Sequence, residues 1–347
     1  MKAPHLVLRH ETRPTERRAP LTPATAADLI RQGLAVAVER SPQRVFPDED
    51  YAAAGCSLVP AGSWPDAPDD AYVLGLKELP RHPDALRHRH IYFGHAYKGQ
   101  PGAADLLRRF TQGGGALLDL ESLVDEHGRR VAAFGYWAGY TGAALAVLRH
   151  GGELPDPLTP TTREALEGAL KAGREPLRAL VIGALGRCGG GAVDALTAAG
   201  AEVTRWDVAE TANLDVRALL DHDILVNAVL ATGPIEPFLT PAALRGPHRL
   251  SVVADVTCDV GSPFHALPIY HETTTWQRPA HRVDGGLDVI AIDNLPSLLP
   301  REATADFAAD LAPHLALLGD GAIWRRCLTA FTTAADRHGP HWKGSNA

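Results

Sequence analysis

The stretch RALVIGALGRCGGGAVDALTAAGAEVTRWD, residues 178–207, restricts the fold more than any other part of the chain. An apolar run leads into a glycine-spaced turn, a helical stretch closes on Gly200, and a second extended run ends on Asp207. Strand, helix and strand in that order imply a parallel pair joined by a right-handed crossover, so the chain is expected to be α/β.

The N-terminal region repeats the pattern. HLVLRHE (5–11) reads as a strand, TPATAADLIRQG as a helix with Thr22 as N-cap, Pro23 in its first turn and Gly33 just past its end, and LAVAVER as a second strand. Apolar runs ending at Lys77 and near His95, and GALLDLE (115–121), extend that sheet. GYWAGYTGAALAVL (135–148) reads as a glycine-bearing helix that begins the crossing to the second unit, before the proline-rich ELPDPLTPTT breaks the pattern. LVNAV (225–229) and VVADV (252–256) add buried strands to the second unit. DFAADLAPHLALL places Phe307, Leu311, Leu315 and Leu318 on one helical face that can pack back on the first.

A length of 347 residues suits two domains. Apolar residues make up 45% and charged residues 22%, and the net charge of −7 comes without a long run of one sign, so neither nucleic acid nor an anionic membrane is an expected partner. No segment reaches the 18 or so consecutive apolar residues of a membrane span, and MKAPHLVLRHE lacks a secretory apolar core, so a cytoplasmic protein is expected. Cys56, Cys188, Cys258 and Cys327 are widely spaced, without CxxC, and are read as reduced thiols. The histidine-rich HPDALRHRH (82–90) lacks suitably spaced acidic or cysteine partners, and no metal is expected.

Gly183, Gly186 and Gly189 form a GxxGxxG turn between strand and helix, where backbone N–H groups can hold a pyrophosphate. A tight structural turn accounts equally well for the glycines alone. Asp207, eighteen residues past Gly189, has the offset of a carboxylate that accepts from an adenosine ribose, which favours NAD over NADP, although Arg205 lies near. In the first unit, Lys77 and His95 stand where strands would deliver side chains into a ligand crevice; a desolvated lysine beside other cations, and a histidine, can both work as bases near neutral pH. Arg18, Lys98, Gln100, Arg129 and Arg130 gather in the same half, with Glu78 and Glu121 as counter-charges, which suits a small-molecule substrate with several carboxylates.

RHETRPTERRAPLTP, VFPDEDYAAAGC, GLKELP, HIYFGHAYKGQ, GRRVAAFGYWAGYTGAAL, VIGALGRCGGGA and IDNLPSLLPRE together resemble the NAD-dependent, L-lysine-forming saccharopine dehydrogenase family, within the alanine dehydrogenase and transhydrogenase superfamily. The resemblance covers nearly the whole chain. It implies two Rossmann-like doubly wound domains with the active site in the interdomain cleft: a substrate domain of residues 1–134 and 296–347, and an NAD domain of 135–295. It also implies Lys77 as the base for the substrate amine and His95 as the acid–base group for imine hydrolysis. Arg18, Lys98, Gln100, Arg130 and Phe134 would hold the substrate, while Glu78, Glu121 and Asp293 play supporting parts. Arg129, Gly186, Arg187, Asp207, Thr211, Leu230 and Ile292, Asp293, Asn294 and Leu295 match the cofactor-facing set. Two other readings stand beside it: a dehydrogenase joining a different amine to an oxoacid, and an NAD-binding regulatory protein. Oligomeric state is left open, a monomer being one of the options.

Overall fold

A computed structural model describes residues 4–171, 177–231 and 233–338. The chain divides into two units, Met1–Ala133 with Ala303–Ala347, and Phe134–Glu302. The first runs β1 (His5–Leu8), α1 (Pro23–Arg31), β2 (Ala35–Glu39), α2 (Asp48–Ala53), β3 (Ser57–Val59), β4 (Tyr72–Leu74), β5 (Arg89–Tyr92), α3 (Ala103–Gly113) and β6 (Ala116–Asp119). Thr22 starts α1 through a reciprocal box: its hydroxyl accepts from Thr25 N at 3.1 Å, and Thr25 Oγ1 accepts from Thr22 N at 2.9 Å. Such a cap contributes about 1 kcal/mol. The six strands pair in parallel in the order β3-β2-β1-β4-β5-β6, the doubly wound arrangement.

The second unit runs α4 (Gly135–His150), α5 (Arg163–Leu170), β7 (Arg178–Ile182), α6 (Arg187–Ala198), β8 (Glu202–Trp206), α7 (Val208–Thr211), α8 (Val216–Leu220), β9 (Ile224–Asn227), β10 (Val252–Asp255), β11 (His281–Arg282) and β12 (Asp288–Ile290). Its sheet order is β11-β12-β10-β9-β7-β8, parallel except for β11 on the edge. The direction of winding reverses between β7 and β9, which makes their carboxyl ends the expected ligand crevice. Leu180, Leu225, Val253 and Val289 fill one side of this sheet. α4 is buried almost all round because its glycines and alanines let it lie close against α6. Phe134 and residues 296–302 belong to this unit. Phe134 precedes the first turn of α4, Leu298 O accepts from Thr161 N at 2.8 Å, and Glu302 accepts from Arg163 N.

The chain returns to the first unit through α9 (Pro300–Leu315) and ends its described part in α10 (Ala322–His338). Phe307, Leu311, Leu315 and Leu318 are buried, as their spacing predicts. The expectations from sequence leave out α2, β3, α3, α5, α7, α8, β11, β12 and α10. The last packs Phe331, Ala334 and Ala335 against α3 and β6. His88 and His90 turn inward, with the His90 ring 4.9 Å from that of Trp64, while His82 is exposed. Among the described residues, no group of three or more His, Cys, Asp or Glu is placed to hold a metal, and no helix is long and apolar enough to cross a membrane.

Candidate active site

Lys77 and His95 lie beyond the carboxyl ends of adjacent strands, since β4 and β5 pair with Leu74 opposite Ile91. β4 stops at Leu74, short of Lys77 where its end was expected, while β5 stops at Tyr92, near His95 as expected. After Leu74 and Tyr92 the ladder keeps Gly75 N to Ile91 O at 2.9 Å and Phe93 N to Leu76 O at 3.2 Å, and Leu76 and Lys77 lie in a bend. His95 takes a left-handed backbone, φ 50°. Neither side chain is fully buried: Lys77 is half-buried, and the His95 side chain is 58% exposed.

The charges around them are mixed, with Glu78 and Glu121 among them as expected. Lys77 bears electrostatically on two carboxylates, Glu16 and Glu78, and on His95. His95 Nδ1 is 3.3 Å from Glu121 Oε1, and that hydrogen bond raises the imidazole pKa against the opposing effect of burial. The same bond lowers the Glu121 pKa, aided by the charges of Lys98 and Arg130. Lys98 Nζ stands 3.8 Å from Glu121 Oε2, and Lys98 N donates to Gln100 Oε1 at 2.9 Å. Glu78 accepts from Arg13 Nε at 2.6 Å; burial pushes its pKa up, but the Arg13 bond, a backbone hydrogen bond and the charges of Arg13 and Lys77 together bring it below its ordinary value.

Arg18 is fully turned inward. Its fork grips Glu16, Nε to Oε1 at 2.8 Å and Nη2 to Oε2 at 2.7 Å. Burial alone would raise the Glu16 pKa, but Arg18, with a smaller contribution from Lys77, holds it at about 2. Arg129 is exposed and pairs with Asp125 at 3.2 Å, and Phe134 sits at the N-terminus of α4 in the second unit. The structure thus brings Lys77, His95, Glu78, Lys98, Glu121 and Arg130 into one electrostatic cluster. It adds Glu16, which the sequence reading passed over although it lies two residues before Arg18 in ERRAPLTP.

In the second unit, Gly183 follows the end of β7 and Gly186 is the N-cap of α6, with no side chain capping the first turn. A Cβ at Gly189 would sit 2.6 Å from Ala184 Cα, so only glycine lets the helix start this close to the turn. Asp207 caps α7 and also accepts from Leu185 N within the turn at 3.0 Å, which joins the end of β8 to the glycine loop. A helix start without a side-chain cap, glycines at 183, 186 and 189, and a carboxylate beside the turn fit the pyrophosphate and ribose of NAD. Arg187 opens α6, and the Thr211 hydroxyl donates to Asp207 O at 2.9 Å. Leu230 is 62% exposed and Asp293 is exposed, whereas the side chains of Ile292 and Leu295 are buried in the core and Asn294 turns through φ 71°. At the ends of β9 and β10, buried Asp255 accepts from Asn227 Nδ2 at 3.0 Å, from the Thr257 hydroxyl at 2.7 Å and from the Tyr270 hydroxyl at 2.7 Å. Asn227 Oδ1 in turn accepts from Val229 N at 3.2 Å, which pins the loop leading to Leu230.

Two domain families match the chain: the alanine dehydrogenase/PNT N-terminal domain over residues 7–141, and the corresponding C-terminal domain over residues 211–332. Saccharopine dehydrogenase (NAD(+), L-lysine-forming) of Neurospora crassa is 47% identical over 354 residues, covering 94% of this chain and 95% of that one. The protein of the same description from Schizosaccharomyces pombe is 41% identical, covering 97% and 100%. Among solved structures, an L-alanine dehydrogenase superposes with a TM-score of 0.71 at 17% identity over 94% of this chain and 93% of its own. A transhydrogenase from Sinorhizobium meliloti reaches 0.67 at 17% identity over 93% and 97%. At that identity the two structures speak for the fold, two α/β units of Rossmann type.

Proposed function

The chain belongs to the NAD(+)-dependent, L-lysine-forming saccharopine dehydrogenase family, and from that premise we propose that it converts saccharopine, NAD and water to L-lysine, 2-oxoglutarate and NADH, reversibly. It is an oxidoreductase acting on a CH–NH donor, in the aminoadipate route to lysine. NAD, when bound, would supply the acceptor for the hydride that leaves the glutamate-derived Cα of the substrate. Gly183, Gly186 and Gly189 with the start of α6 hold its pyrophosphate, and Asp207 its adenosine ribose.

Lys77 takes the proton of the secondary amine as hydride leaves, and the substrate becomes an imine. His95 then removes a proton from water as it attacks the imine carbon, and returns protons as the carbinolamine collapses to amine and ketone. Glu121 holds the His95 ring and, being ionised, favours its protonated form between these transfers. Lys98, Gln100, Arg130 and Phe134 bind the substrate, whose carboxylates match the cations among them, and Arg18 joins them only by giving up part of its grip on Glu16. Asp293 supports the site, and Arg129, Arg187, Thr211, Leu230 and the backbone of the 292–295 segment, whose Ile292 and Leu295 side chains turn into the core, face the cofactor. The enzyme works in the cytoplasm, consistent with its four free cysteines.

The observation that carries this reading is the Lys77–His95–Glu121 cluster at adjacent strand ends. NADH oxidation with 2-oxoglutarate and a panel of amines, measured for the wild type, Lys77→Met and His95→Gln, tests it. A lysine-dependent rate that both substitutions reduce by at least a hundredfold is expected; full activity in either variant removes that residue from the mechanism.

A further inference from the structure

Lys77 sits in a bend outside the regular sheet, yet both of its peptide groups are held by one buried ion pair. Arg9 and Glu11, 2% and 5% exposed, continue the chain from the end of β1, beside β4. Glu11 Oε2 accepts from Lys77 N at 3.0 Å, and Oε1 accepts from Leu76 N at 2.6 Å. Arg9 Nη2 donates to the Lys77 carbonyl, Nη1 lies 3.3 Å from Glu11 Oε2, and the guanidinium stands over the Tyr92 ring at 5.6 Å. Gly75 makes room for it: a Cβ there would lie 2.6 Å from Arg9 Cζ.

A buried ion pair is weak as a source of stability, because desolvating two charges offsets most of their attraction. This one instead has a geometric consequence. It grips the peptide planes on both sides of Lys77 and so fixes the direction of its Cα–Cβ bond. We infer that Arg9 and Glu11 are positioning residues for Lys77, setting the direction in which its amine approaches the substrate. The inference rests on the reading of Lys77 as the base. The lever is long: Nζ lies roughly 6 Å from Cα, so a tilt of about 10° in the backbone moves the amine about 1 Å. A misplacement of that size can cost about a hundredfold in rate.

Only a carboxylate can accept both N–H groups through two oxygens. In Glu11→Gln the amide nitrogen must face one of those donors, so one grip is lost. The chain has five lysines, Lys2, Lys77, Lys98, Lys171 and Lys343, few enough for their side-chain amines to be followed one by one by NMR after isotope labelling. The Lys77 signal is the one that disappears in Lys77→Met. Glu11→Gln is expected to lower kcat at least tenfold, to leave NADH affinity unchanged, and to move the Lys77 resonance while the other four stay. Arg9→Met/Glu11→Gln, which leaves no unpaired buried charge, should fold and show the same loss, so a folding failure of the single variant does not decide the matter. Wild-type kcat in a folded variant, or a lowered kcat with an unmoved Lys77 resonance, overturns the positioning role. If Lys77→Met is itself fully active, the base assignment fails, whatever Glu11→Gln does.

Discussion

Glu121 Oε1 stands 3.3 Å from His95 Nδ1 in a place where the imidazole is more than half exposed, so the carboxylate, rather than burial, sets the protonation of the ring. The pairing spans the loops after β5 and β6, neighbours in the sheet.

Glu121→Gln removes that bias. On the proposed mechanism His95 must be neutral to take a proton from water, so the rate of saccharopine oxidation should rise with pH through the His95 pKa, which Glu121 raises. The variant should move that limb to lower pH, read from kcat over a pH series. A limb that stays in place separates it from His95.

Arg18→Met strands the Glu16 carboxylate, which is buried and held at about 2. Removing one member of a buried pair costs about 3–5 kcal/mol, so urea unfolding at neutral pH should show a loss of that order. The folded pKa is depressed, so the wild type carries this stabilisation above the ordinary value of 4.5 and loses it as pH falls toward about 2. The variant should lack that acid-side loss.

Gly189→Ala should weaken NADH binding at least tenfold in a fluorescence titration, because the new methyl meets the backbone of the glycine turn. Gly190→Ala is the control. Nothing lies within 4 Å of its Cβ, and a helical Gly-to-Ala change should stabilise by about 0.5–1 kcal/mol with NADH affinity unchanged.

Asp207→Ser keeps a helix N-cap but removes the charge that repels a 2′-phosphate. The ratio of kcat/KM for NADP to that for NAD should rise at least tenfold. An unchanged ratio would mean that Asp207 is a cap and nothing more.

His90 is wholly buried with both ring nitrogens unpartnered, and burial holds its pKa well below the ordinary 6.5. The unfolded chain therefore binds a proton that the folded one refuses, and stability falls as pH drops below about 6.5, by about 1.4 kcal/mol per pH unit. His90→Phe should flatten that slope in unfolding measured from pH 7 to 5.

The α/β plan was legible because its signals are local. Thr22 with Pro23, the alternation of apolar runs with amphipathic helices, and Gly183 to Gly189 ahead of Asp207 each act within a few residues or one crossover. α10 was legible too and was passed over: Trp324, Cys327, Phe331 and Ala335 recur at helical spacing and are buried. β11 and β12 were not, since two- and three-residue strands carry almost no periodic signal.

By itself, the sequence determined the two parallel sheets, the glycine turn with its carboxylate, and the presence of Lys77 and His95 near two strand ends. Tertiary structure alone decided what surrounds them. The parallel register that sets Leu8 opposite Leu74 brings Arg9 and Glu11 to the peptides of Lys77, sixty-six or more residues away in the chain. The register of β5 with β6 brings Glu121 to His95. Periodicity reports which face a residue occupies. The partner of a polar group depends on sheet order and register, and those are settled only when the separate strands pack.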